Sequence, residues 1–260
     1  MEPQSVPTGC VVVGVDAAQL TDRALDWAAD QAALEQRHLL LVHGIGSPLS
    51  VGTPDSGLGG PDPMQVFVDL QAAGRALLAR ATTRVVTRHP ELVVHQAVRA
   101  IDPRQALLEA SADAAMVVVG SRGRGHVLSL VLGSVSEEVA GRASCPVVVI
   151  RPRHDHEPRN GVLVGTDGTA ESEPVLQFAS RLARVRELPL TVLQDPGDAA
   201  SAAQSLIARA GSMDLVVVGH HPRGTLGRFT HASVAVAVLE HASVAIAVVP
   251  VVAESLASAP

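Results

Sequence analysis

Short, continuous apolar runs recur along this chain, separated by longer stretches in which apolar residues return every three or four positions. A compact β-branched run reads as a strand buried on both faces of a sheet, and the slower rhythm as a helix packed on that sheet. The first part of the chain then reads as strand 11–16, helix 21–36, strand 38–43, helix 64–88, strand 91–98, helix 103–112, strand 115–120, helix 133–142 and strand 146–151. The remainder reads as strand 161–166, helix 170–187, strand 189–194, helix 198–211, strand 214–219, helix 230–241 and strand 244–249. Residues 47–63, rich in Gly and Pro, read as a loop, and the Ala/Ser-rich stretch beyond Val252 as a fraying end.

The pattern contains an internal duplication. Val-Val-Val-Gly-Val-Asp16 recurs as Val-Leu-Val-Gly-Thr-Asp167, and Val-Val-Val-Gly120 as Val-Val-Val-Gly219. Ser144-Cys-Pro-Val-Val-Val-Ile150 has its counterpart in Ser243-Val-Ala-Ile-Ala-Val-Val249. Three matches in the same order define two lobes, 8–152 and 160–252, joined by a polar linker at 153–159. Asp167 and Gly219 lie about half as far apart as Asp16 and Gly120, so the second lobe lacks roughly one strand-plus-crossover unit of about 30 residues. Alternating strands and helices predict an α/β fold of two doubly wound, open parallel sheets, the first with five strands and the second shortened to four.

Composition narrows the function. Hydrophobic residues make up 47% of the 260 residues, enough for a packed core. The formal net charge of −6 argues against nucleic acid as a partner, and 2% aromatic residues against a base-stacking platform. Cys10 and Cys145 form neither a disulfide framework nor a zinc pattern. No run approaches the roughly 18 apolar residues of a membrane span, and the opening residues carry Glu2 with no hydrophobic stretch. A cytoplasmic protein with no membrane partner is expected.

The chemistry concentrates in Gly120-Ser121-Arg122-Gly123-Arg124-Gly125-His126, followed by an apolar stretch and Gly133-Ser134-Val135-Ser136. This run opens where a strand ends and closes where a helix begins. Strand ends of that kind line the ligand crevice of an open α/β sheet. Glycines let backbone N–H groups approach an anion, and a helix start adds free donors and a partial positive charge. Ser134 and Ser136 add hydroxyls, and Arg122 and Arg124 can pair with phosphate oxygens. A turn that merely reverses the chain is the plain alternative; the strand before, the helix after and the two arginines within favour an anion site. Neither a Walker A loop nor a first-strand dinucleotide fingerprint is present.

The spacing Gly120-x2-Gly123-x9-Gly133-Ser134 resembles the nucleotide-binding signature of the universal stress proteins. Similar to that family as well are Val-Val-Val-Gly-Val-Asp16, Leu-Leu-Val42-His43 and Ser144-Cys-Pro-Val-Val-Val-Ile-Arg151. The resemblance implies an ATP site, with or without Mg2+, in which Asp16 and Val42 meet the adenine and Gly14 lets the base approach. Gly120, Ser121, Arg122, Gly123, Arg124, Gly125 and His126 would wrap the ribose and phosphates, and Gly133, Ser134, Val135 and Ser136 would hold the phosphate tail. It further implies that the last strand of each lobe lies at a sheet edge, so that the lobes pair within the chain and dimerisation can follow.

This sequence departs from the family pattern at three places. Ala17-Ala18 follows Asp16 where the family has Gly-Ser, His126 stands where Gly is usual, and the second lobe reads Gly219-His-His-Pro222 with Ala232-Ser233 at the helix start. Pro222 has no N–H to offer a phosphate. Asp167-Gly168-Thr169 nevertheless fits the family better than the first-lobe counterpart.

His154, His156, His220 and His221 lack the spacing of a metal site and read as solvated loop residues. Glu137-Glu138 reads as the polar face of a helix, and Trp27 as packing on the first helix. No nucleophile or base accompanies Asp16, so catalysis is not expected. The expected function is nucleotide-dependent sensing or regulation in a stress response, through a regulatory protein partner the sequence does not name. A slow ATP-hydrolysing enzyme of the adenine nucleotide α-hydrolase type and a scaffold without ligand are the alternatives. Whether ATP, AMP or a cyclic nucleotide binds is left open by the residues.

Overall fold

The computed structural model describes residues 8–17, 19–47, 62–121, 132–152, 161–194, 198–220 and 234–251. Its contacts divide the chain into two compact units, Met1–Gly125 and His126–Pro260. The first contains β1 (Val11–Gly14), α1 (Gln19–Leu34), β2 (Leu39–Gly44), α2 (Pro63–Arg88), β3 (Val94–Arg99), α3 (Pro103–Ser111) and β4 (Met116–Gly120). The second contains α4 (Ser134–Arg142), β5 (Val147–Ile150), β6 (Val162–Thr166), α5 (Glu173–Val185), β7 (Leu190–Gln194), α6 (Ala199–Ala210), β8 (Leu215–His220), α7 (Val234–His241) and β9 (Ala245–Pro250). The sequence repeat runs to residue 152, whereas the contacts group α4 and β5 with the second unit.

In the first unit the strand order is β3-β2-β1-β4, all parallel. Val11–Val13, Leu39–Val42 and Met116–Val119 are buried without alternation, so both faces of these strands are covered. Helix α1 packs on β1 and β4, α2 on β2 and β3, and α3 on β1 and β2. Bidentate Arg84–Asp26 bonds of 2.7 Å and an Arg88–Asp30 pair tie α2 to α1 on the solvent side.

In the second unit the order is β5-β9-β8-β6-β7. Strands β9, β8, β6 and β7 run parallel, while β5 pairs antiparallel with β9 through Val147↔Val248, Val148↔Ala247 and Val149↔Ile246. The two repeat-terminal strands therefore pair with each other inside the chain, as the apolar character of both segments requires. The missing crossover unit leaves β7 with β6 as its neighbour on one side among the described strands, and Val192 half-exposed.

Element boundaries moved for a local reason. The helices read as 21–36 and 170–187 end at Leu34 and Val185, because Gln36 (φ 53°) and Glu187 (φ 54°) turn the chain through the left-handed region. The two residues occupy the same place in their repeats, and neither is the glycine that would have marked the stop. Residues 170–172 form a 3-10 turn before α5, and β3 begins at Val94 rather than at 91. Cys10 and Cys145 are both buried and form no disulfide.

A second repeated device sits where the first strand of each lobe ends. A Cβ on Gly14 would lie 3.1 Å from Leu107 of α3, and one on Gly165 would lie 2.7 Å from Leu206 of α6. Both leucines are buried, so a side chain at either glycine would push a packed leucine aside. Replacing Gly165 with Ala should lower stability by about 1–3 kcal/mol through overpacking, while Gly14→Ala costs less. Urea midpoints of the two variants check this; a Gly165→Ala chain as stable as wild type would contradict it.

Candidate functional site

Five of the residues expected to bind nucleotide gather at the carboxyl ends of β1, β2 and β4 in the first unit. Gly14 stands directly across from Val42, and the Val15 N–H donates to the Val42 carbonyl at 2.8 Å. The His43 ring, next along β2, bonds the Val15 carbonyl through Nδ1 at 2.7 Å. Asp16 follows, and its Oδ1 accepts a hydrogen bond from the buried Thr21 hydroxyl in the first turn of α1. Gly120 closes β4. Ser121 is fully buried, and its Oγ has no hydrogen-bond partner among the described residues. The close approach of Leu107 accounts for Gly14 by packing, alongside any access it gives a ligand.

Gly133, Ser134, Val135 and Ser136 form the start of α4 in the second unit. Gly133 is an extended N-cap with no side-chain bond, so the first-turn N–H groups carry the donor character of a helix start. Ser134 is exposed and Ser136 buried. Glu138 pairs with Arg142 at 2.5 Å on the outer side of the helix, the polar role read from the sequence. Arg122, Gly123, Arg124, Gly125 and His126 lie outside the described residues, as do Pro222 and Ala232.

The second lobe repeats the strand-end turn of the first with its own set of contacts. Asp167 Oδ1 accepts from the Thr169 N–H at 2.9 Å, the Thr169 hydroxyl at 2.8 Å and the Ser172 hydroxyl at 2.8 Å. These donors, led by the Thr169 amide, hold its carboxyl below the usual carboxylate range. Gly168 adopts φ +78°, and a Cβ there would lie 2.1 Å from the Gln194 amide nitrogen; the Gln194 side chain therefore rests on the turn. His220, taken from the sequence as a solvated loop residue, instead ends β8 with its ring buried, bonded through Nε2 to the Gly141 carbonyl at 3.1 Å. It stands at the repeat position of Ser121. An apolar strand continuing one residue past Gly219 carried the imidazole inside.

The hydroxyl five positions after each strand-end aspartate, Thr21 and Ser172, was missed in the sequence because it falls in a helical stretch. The repeat alignment itself could have found it.

A family model described as the universal stress protein family matches residues 9–151 and 196–250, well over half of the chain. The chain belongs to the universal stress protein family. Universal stress protein Rv2005c of Mycobacterium tuberculosis is 31% identical over 281 residues, covering 88% of this chain and 92% of that protein. A universal stress protein of Archaeoglobus fulgidus has the same fold, with a TM-score of 0.70 at 15% identity over 93% of this chain and 98% of the other. A universal stress protein solved in complex with cAMP aligns with 57% of this chain and all of its own at 22% identity and a TM-score of 0.42. In this family member no helix among the described residues is long and apolar enough to cross a membrane.

One further polar cluster lies at the opposite, amino ends of the strands. His38 Nδ1 and His95 Nε2 are 3.1 Å apart, with the rings stacked at a centroid distance of 5.2 Å. Two nitrogens at that separation share one proton, and burial together with the neighbouring ring lowers the His95 pKa from its usual value. Among the described residues no group of three or more His, Cys, Asp or Glu could hold a metal ion, so the pair reads as structural. A histidine whose folded pKa is depressed contributes stability above the unfolded value of about 6.5, lost as pH falls from there toward the folded value. The urea midpoint should therefore fall between roughly pH 7.5 and 5.5. His95→Gln should flatten that slope; an identical slope in the variant would contradict the assignment.

Proposed function

We propose that this chain binds ATP through its first lobe, one nucleotide per chain, and acts as a nucleotide-dependent sensor in a stress response. The observation that carries the reading is Ser121. A buried hydroxyl left without a partner costs about 1–3 kcal/mol, and this one, which has none among the described residues, sits at the head of the glycine-rich run, where a ligand oxygen would complete it. Asp16 and Val42 lie at neighbouring strand ends, suited to an adenine edge. The Gly120–Ser136 run offers amide, hydroxyl and arginine donors to phosphates. A divalent ion such as Mg2+ would arrive with the phosphates, which supply its charge and most of its oxygen ligands.

The single-site stoichiometry rests on the second lobe. Gln194 occupies the space over Gly168, and His220 is committed to Gly141. Pro222 removes an amide donor and Ala232 a helix-start glycine. Side chains of the lobe itself take the place of a ligand.

We assign binding rather than turnover to the site. Of the groups that share the described strand ends with Asp16, the His43 ring is bonded to the Val15 carbonyl and the Ser121 hydroxyl is read as a ligand contact, so hydrolysis would be slow at most. Nucleotide occupancy would then act by changing the surface that the Gly120–Ser136 run presents to a regulatory protein.

Calorimetric titration of the full chain with ATP should saturate at one equivalent. Gly123→Val should weaken binding at least about tenfold, or roughly 1.4 kcal/mol, with the thermal transition kept. Ser121→Ala should also weaken binding, yet leave the ligand-free chain as stable as wild type or more so, because it removes the orphaned hydroxyl. Two equivalents of ATP, or unchanged affinity in both variants, would overturn the reading.

A further inference from the structure

The two lobes orient the aspartate at the end of their first strand with different sets of hydroxyls. In the second lobe Asp167 receives the Thr169 hydroxyl from two positions on and the Ser172 hydroxyl from five positions on. In the first lobe the residue two positions after Asp16 is Ala18, which has no hydroxyl to give. The donor five positions on is kept: Thr21 Oγ1 bonds Asp16 Oδ1. Thr21 is 5% exposed, so water competes poorly for that bond.

We infer that Thr21 is a positioning residue for base selection, fixing the Asp16 carboxylate so that it favours adenine over guanine; this rests on the nucleotide reading above. The chemistry follows from the two bases. Adenine carries an exocyclic amine that donates to a carboxylate oxygen, whereas guanine presents a carbonyl oxygen at the corresponding ring position, which a carboxylate repels. A carboxylate free to rotate would weaken both the attraction and the repulsion. The Thr21 bond holds Oδ1 toward the first turn of α1 and narrows that rotation. Thr21 needs no contact with ligand, and its effect falls on the base alone, leaving the phosphates untouched. A hydroxyl that served only to stabilise the helix start would shift all ligands alike.

The test measures equilibrium binding of ATP, GTP and inorganic tripolyphosphate to the full chain. Thr21→Val keeps the shape and removes the donor. It should weaken ATP about five- to tenfold, the size of one lost hydrogen bond, lower the ATP-over-GTP preference, and leave tripolyphosphate unchanged. Thr21→Ser should behave as wild type. Should Thr21→Val unfold the chain, Thr21→Ala decides: it should lower the ATP-over-GTP preference, and an unchanged ratio overturns the role. A Thr21→Val chain that keeps the wild-type ratio, or loses tripolyphosphate in the same proportion as ATP, also overturns it while leaving the nucleotide reading intact. A wild-type chain that binds no ATP removes the nucleotide reading, and this role with it.

Discussion

A parallel sheet buried on both faces can be closed only where a helix passes near enough to the strands to exclude water, and in this protein that closeness is bought by glycine. Gly14 beneath Leu107 and Gly165 beneath Leu206 repeat the same contact in the two lobes. The apolar strands draw on it, since most residues of β1, β4, β6 and β8 are buried against the helices. So does the site, because the crossing point lies at the carboxyl strand ends. Asp16 and Asp167, two residues beyond these glycines, inherit their positions from it.

Shortening the second lobe had consequences at both the edge and the strand ends. Without a strand corresponding to β3, β7 shows one strand neighbour among the described residues and presents Val192 to solvent. At its strand ends the Gln194 side chain rests on Gly168, and His220 bonds the Gly141 carbonyl in the last turn of α4. The Asp167 turn survives fully bonded, with more side-chain hydroxyls on it than Asp16 receives from the corresponding positions. The motif is thus well preserved as a turn, which explains why Asp167-Gly168-Thr169 looked the better family match in the sequence.

Much of the fold was legible from apolar rhythm and repetition. Each strand run was visible because burial on both faces leaves no polar alternation to confuse it, and the duplication confirmed the order. Helix ends were less legible: Gln36 and Glu187 take a left-handed conformation that the sequence signals clearly only when glycine does it. His220 was misplaced because a histidine pair after a strand glycine resembles a solvated turn, and only the packing of α4 shows otherwise. At the candidate site, the glycine spacing and Asp16 could be read directly. The Ser121 hydroxyl, without a partner among the described residues, and the Thr21–Asp16 bond could not, since both depend on which side chains are buried together. The antiparallel register of β5 with β9 was likewise beyond the pattern, which shows two apolar edges but not the direction in which they meet.

The central claim is that nucleotide binds at the first-lobe strand ends and not at those of the second lobe. Crystals of the full chain grown with a non-hydrolysable ATP analogue test it most directly. The account predicts nucleotide density with a phosphate or ribose oxygen within hydrogen-bond distance of Ser121 Oγ and the base beside Asp16 and Val42, and none over Gly168. Density at the ends of β6 and β8, or a Ser121 hydroxyl turned away from any bound ligand, would contradict it.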